Sequence, residues 1–219
     1  MNRRLLRTTY HAEVEVVNFT HGLPAWMTQS LTGSSRASTY DYTDPYGSHY
    51  AMVPSGNAGE GVTLAGSPIC MSVAKVLELE AVGVTVAGPT ELTLGLVSPN
   101  DGVAGIQLQA APIDAGAAPA GRVRLLLRDG SSEGEQTLFA EGNDGQIHDG
   151  GTVIDDVDLG VIVDIDAKTA QAHLGYSYVS CGPEGFPDGQ VLAPAIRTAL
   201  VADGKASAKV RRMTIGIYT

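Results

Sequence analysis

Short apolar runs that alternate with polar residues, each closed by Gly, Pro, Asn or Asp, recur along almost the whole chain. Alternation with a period of two puts every second side chain on one face of an extended strand, so this rhythm demands sheets with one buried face. Glu13 to Phe19 alternates in this way, and so does Ile106 to Gln109. Lys75 to Val86 is the longest such run, with Leu77, Leu79 and Ala81 on one side and Glu78 and Glu80 on the other. Glu91 to Val97 follows, and Asp101-Gly102 signals a hairpin turn. Further strands are predicted at 26–31, 48–53, 122–128, 137–141, 161–166, 171–176, 196–201 and 210–218, the pair 161–166 and 171–176 forming a hairpin. About a dozen strands at turn spacing, with hardly a helical period among them, predict one all-β antiparallel sandwich of the jelly-roll kind.

Residues 11–219 are read as this single domain and residues 1–10 as a basic arm carrying Arg3, Arg4 and Arg7. The 43% hydrophobic content and 27 glycines fit many short strands joined by turns. With a net charge of −10 the chain repels phosphate backbones, which disfavours nucleic acid as a partner. A short basic arm can bind nucleic acid or membrane or dock on an acidic neighbouring subunit, and because it is short and no aromatic but Tyr10 interleaves it, docking on a neighbour is expected. No apolar run is long enough to span a bilayer, and Arg7 interrupts the start of anything like a secretory leader. Cys70 and Cys181 are too few for a disulfide framework and are expected to be buried free thiols.

Candidate sites are sparse. Glu78 with Glu80, and Glu13 with Glu15, have the spacing of two carboxylates on one strand face, which glycoside hydrolysis requires. Alternating acids are also what a solvated strand face carries, and that reading is preferred here. Asp155, Asp156 and Asp158, followed by Asp164 and Asp166, are either a Ca²⁺ site or a solvated edge loop. The five histidines lack metal-ligand spacing, and no nucleophile elbow, P-loop or dinucleotide fingerprint is present. The stretch 32–47 reads as a long loop, and Tyr40, Tyr42, Tyr46 and Tyr50 mark an aromatic surface there or a loop packed on itself. With Trp26 they are the candidates for stacking on sugar rings.

Several runs resemble the concanavalin A-like lectin/glucanase sandwich found in phage minor tail proteins. They are Tyr46-Gly47-Ser48-His49-Tyr50-Ala51-Met52-Val53-Pro54, the long pair 75–86 and 91–98, Leu159-Gly160-Val161-Ile162-Val163-Asp164-Ile165-Asp166, and the closing Arg211-Arg212-Met213-Thr214-Ile215-Gly216-Ile217-Tyr218. The glucanase carboxylates and lectin metal ligands of that family find no match, so neither activity is carried over. The resemblance implies a structural virion protein, a minor tail or tail-tip subunit assembled in the host cytoplasm with other virion proteins or copies of itself. Its alternative is a carbohydrate-binding module for host-surface glycans, and a glycoside hydrolase ranks below both.

Overall fold

The computed structural model describes residues 12–19, 22–40, 49–69, 73–110, 122–130, 135–138, 153–175 and 177–219. Among them run β1 (Ala12–Asn18), β2 (Thr28–Leu31), β3 (Arg36–Tyr40), β4 (His49–Val53), β5 (Ser55–Gly56) and β6 (Gly61–Ala65). Next come β7 (Val76–Ala87), β8 (Thr90–Val97), β9 (Gly102–Gln109), β10 (Arg122–Asp129), the short β11 (Glu135–Leu138) and β12 (Val153–Asp164). Then come β13 (Thr169–Leu174), β14 (Ser177–Cys181), β15 (Ala193–Leu200), β16 (Gly204–Lys205), β17 (Ser207–Val210) and β18 (Arg212–Tyr218). They form an antiparallel jelly-roll β-sandwich.

A nine-stranded sheet runs β14-β13-β12-β7-β17-β4-β3, with β18 also on β7 and β1 on β18. A seven-stranded sheet runs β11-β10-β9-β8-β15-β6-β2. The core lies between them. Leu77, Leu79 and Ala81 of β7 and Leu159, Val161 and Val163 of β12 face Leu92, Leu94 and Leu96 of β8, with Ile106, Leu108 and Leu125 beside these. Each fully buried leucine contributes about 1.5–3 kcal/mol relative to exposure.

The phase of β7 changes once. Up to Ala81 the odd residues point inward, whereas beyond it Val84 and Val86 do. Gly83, with φ 65°, makes the change, and β12 answers with register shifts on either side of Val157. An extra residue at a bulge reverses which face the following side chains take. Ile154 and Val157 of β12 thus both stay in the core although aspartates interrupt the run.

Several expectations are corrected by this architecture. The stretch 32–47 is not one loop, because β3 lies within it and pairs with β4. Its Arg-Ala-Ser-Thr-Tyr composition hides an edge strand, from which Ala37 packs against the core. Trp26 stands in a turn before β2 rather than in a strand. Asp155, Asp156 and Asp158 belong to β12, not to a loop. Strands β6 and β14 carry no strong alternation and went unpredicted.

Candidate functional site

The most built surface is the outer face of the seven-stranded sheet. Residues paired in register present side chains on the same face. Ser30 pairs with Thr63, Thr63 with Arg197, Arg197 with Thr93, Thr93 with Gln107, and Gln107 with Arg124. Six strands therefore contribute one continuous polar file. The next file, Ala65, Ala195, Gly95, Gly105 and Leu126, is nearly devoid of side chains. Where the strip is Ala65 and Ala195, the neighbouring Ser30, Thr63 and Arg197 wall a groove. Its largest part, 380 Å³, is lined by Ser30, Thr32, Thr63, Asp101 and Arg197 among others.

Gly95 and Gly105 are required by the close approach of β8 and β9. A Cβ on Gly105 would stand 2.5 Å from the Leu94 carbonyl oxygen, and one on Gly95 would overlap that of Ala104. No side chain can grow from the floor without parting the strands.

The file is hydrogen-bonded along its length. Arg124 Nε donates to Gln107 Oε1 at 2.6 Å, and Gln107 Nε2 donates to Thr93 Oγ1 at 3.3 Å. Thr93 and Gln107 are only 4% and 3% exposed although they belong to the outer face. With Glu91, Arg128 and Arg197 they line a further recess of 20 Å³. Arg197 Nη1 pairs with Asp101 Oδ1 at 3.0 Å, and Arg128 Nε donates to the Asp101 carbonyl at 3.1 Å. Burial pushes the Glu91 carboxyl above its ordinary range, against the pull of Arg124, Arg128 and Arg197. The wide part of the groove offers the hydroxyls of Ser30 and Thr63 and the guanidinium of Arg197, beside the buried pair Thr93 and Gln107, which suits a polyhydroxylated ligand.

The residues singled out from the sequence lie elsewhere. Tyr50 is corrected outright: it is 4% exposed, its ring sits 5.3 Å from that of Phe19, and its hydroxyl donates to Gln29 Oε1. A ring in the core has no face to offer a sugar. Burial pushes its phenol pKa up. Trp26 packs on the rim of the core beside Gly66 and Pro194, outside the groove lining. Tyr42 and Tyr46, the arm residues Arg3, Arg4 and Arg7, and Cys70 lie outside the described residues, as does the side chain of Tyr40. Cys181 is buried, its thiol 3.7 Å from the Leu125 carbonyl oxygen.

The aspartate run does not converge. Asp155 accepts from Thr85 Oγ1 at 2.8 Å, Asp156 pairs with Arg211, and Asp158 accepts from the Gly83 amide at 2.9 Å. Each carboxylate braces the bulge between β7 and β12. Among the described residues no group of three His, Cys, Asp or Glu side chains could hold a metal ion.

Glu78 and Glu80 do share a face, on the outer side of the nine-stranded sheet and across the sandwich from the groove. They are half-buried rather than simply solvated: the Tyr218 hydroxyl donates to Glu78 Oε2 at 2.8 Å, and His173 Nε2 lies 3.9 Å from Glu80 Oε1.

Sequence reasoning missed the groove, although a signal existed. The outward positions of β8, β9 and β10 carry Glu91 and Thr93, Gln107 and Gln109, and Arg124 and Arg128. Three neighbouring strands that are polar at alternate positions mark a wet face, but only the register shows that these residues meet.

No protein-family model matches the sequence, and no curated protein does. Solved structures share the fold. The CBM2 module of the evolved Dit protein of Lactobacillus casei BL23 phage J-1 is 10% identical, with a TM-score of 0.59 over 95% of this chain and 97% of that one. A protein of unknown function from Shewanella oneidensis MR-1 is 9% identical, with a TM-score of 0.58 over 95% and 87%. A family 16 endo-glucanase from Bacteroides ovatus is 8% identical, with a TM-score of 0.54 over 92% and 99%. The similarity is to a CBM2 module and a glycoside hydrolase, and at these identities it speaks for the fold alone.

Proposed function

We propose that this chain is a non-catalytic glycan-binding module of a tailed-phage virion, holding saccharide in the groove on the outer face of its seven-stranded sheet. The observation that carries the reading is the groove beside Ala65 and Ala195, where Ser30, Thr63 and Arg197 set hydrogen-bonding groups along a shallow lining that matches the hydroxyls of a sugar chain.

The groove's chemistry supports a non-catalytic role. Glycosidases place two carboxyl groups about 5–10 Å apart across the bond. The outward positions of β9, at the middle of the floor, are Val103, Gly105, Gln107 and Gln109. The acids near them, Glu91 and Asp101, are engaged with the surrounding arginines.

The virion context draws support from the likeness, over nearly the full length of both chains, to a module of a phage Dit protein. Such a module is made in the host cytoplasm, incorporated with other virion proteins or copies of itself, and meets host-surface glycan when the particle adsorbs.

The test is retention of the purified protein on isolated host cell envelope, with soluble saccharides as competitors. Saturable, sugar-competed binding is expected. Thr63→Leu, which replaces a groove hydroxyl by an apolar branch, should weaken it about tenfold with the thermal midpoint preserved. Folded protein that ignores envelope from every candidate host would make the chain an architectural subunit instead.

A further inference from the structure

We infer that the ligand of this groove is an anionic saccharide whose acidic groups are held by Arg128 and Arg197, with Arg124 beside them. The inference rests on the glycan-binding reading and deepens it.

The chain has a net charge of −10 and only 14 basic residues, so its average surface repels anions. Arg197 on β15 nevertheless lines the wide groove, Arg128 on β10 shares the small recess beside it with Arg197, and Arg124 bonds to Gln107 nearby. The hydrogen bonds of Arg197 and Arg128 leave capacity for a ligand. A guanidinium has five N–H donors, of which Arg197 spends one on Asp101 Oδ1 and Arg128 one on the Asp101 carbonyl.

The acid now facing Arg197 is easily displaced. The Asp101 side chain is 63% exposed at the tip of the β8–β9 hairpin, and such solvent-screened pairs contribute little. A carboxylate or phosphodiester arriving along the groove replaces this contact with a bidentate one, in a site lined by protein on one side. Glu91, the other acid, is half-buried and does not extend into the wide part of the groove.

The remaining lining suits the rest of a sugar ring. Ser30 and Thr63 present hydroxyls that have no side-chain hydrogen bond among the described residues. A groove of 380 Å³ takes one or two rings of a chain that continues past either end. A neutral glycan would cover the arginines without repaying their lost hydration.

The experiment measures equilibrium binding of the full chain to polygalacturonate, its methyl ester and poly(glycerol phosphate), at low and high salt. At least one of the two anionic polymers should bind at least tenfold more tightly than the neutral ester and lose that advantage in salt. Preference between the two distinguishes carboxylate from phosphodiester. Arg197→Gln and Arg128→Gln should each weaken binding about tenfold, whereas Arg212→Gln, exposed on the other sheet, should leave it unchanged.

If the neutral ester binds as tightly as the acid, or both groove variants bind normally, the anionic assignment is wrong and the glycan-binding reading stands. If poly-glutamate binds and no saccharide or host envelope does, both are wrong and the groove is a protein interface. Thermal midpoints of the variants show whether a loss reflects unfolding.

Discussion

His173 lies flat across Gly160: a Cβ on that glycine would overlap the imidazole Nε2, which is 3.9 Å from Glu80 Oε1. Glu80, Gly160, His173 and Tyr178 are successive partners across β7, β12, β13 and β14, so the histidine reaches its acid by passing over the one residue that has no side chain. The ring of Tyr178 leans on the imidazole from the far side, 5.8 Å away. Gly160→Ala should therefore cost about 1–3 kcal/mol through overpacking. Adding His173→Ala should recover part of that loss. Urea denaturation of the two variants checks this, and an additive pair would mean that the residues do not compete for space.

Tyr50 belongs to the core, and its substitutions should report stability. Tyr50→Ala is expected to lose about 3–5 kcal/mol, as large aromatic truncations do. Tyr50→Phe loses only the bond to Gln29, about 0.5–1.5 kcal/mol, and should bind envelope as the parent does. A Tyr50→Phe protein that folds normally but no longer binds would return this residue to the site.

Glu91 makes stability depend on pH. Burial raises its folded-state pKa, so its favourable contribution is complete below the unfolded-state pKa and is lost as pH rises through the folded one. Parent and Glu91→Gln stabilities should diverge as pH rises from about 4, in favour of the variant, and then run parallel. Equilibrium unfolding between acid and neutral pH tests the sign, and a parent that gains on the variant with rising pH would refute it.

The aspartates of β12 should act as braces and not as ligands. Asp158→Ala removes the acceptor of the Gly83 amide and should cost about 1–3 kcal/mol. Calcium should leave the thermal midpoint of the parent unchanged, since a ligand that binds only the folded state would raise it. A calcium-dependent rise abolished by Asp155→Ala would restore the metal site.

Gly105→Ala tests the groove floor. The added methyl meets the backbone of β8, which cannot rotate away as a side chain would, and about 2 kcal/mol or more should be lost. A neutral result in urea denaturation would mean that β8 and β9 can separate without cost.

Much of the architecture was legible because burial imposes a local pattern. Leu77, Leu79 and Ala81 alternate with Glu78 and Glu80 because one side of β7 meets the core, and Asp101-Gly102 turns a hairpin through its own backbone preferences. The polar edge strand β3 was hidden because hydrogen bonds to β4 hold it, and those leave no mark on side-chain polarity. Asp155, Asp156 and Asp158 looked like a loop because a bulge breaks the period of two where a strand nonetheless continues.

The site was decided by the tertiary structure alone. Alternation determines which side chains of one strand share a face, and from this the sequence determined that the chain is a sandwich with two wet outer faces. It does not determine which strands are neighbours. Thr63, Thr93, Gln107, Arg124 and Arg197 come from five strands dispersed along the chain, and only the order β10-β9-β8-β15-β6 sets them in one file. Pairing between distant strands depends on the closure of the whole core, so a groove built from register exists only after the sandwich has formed.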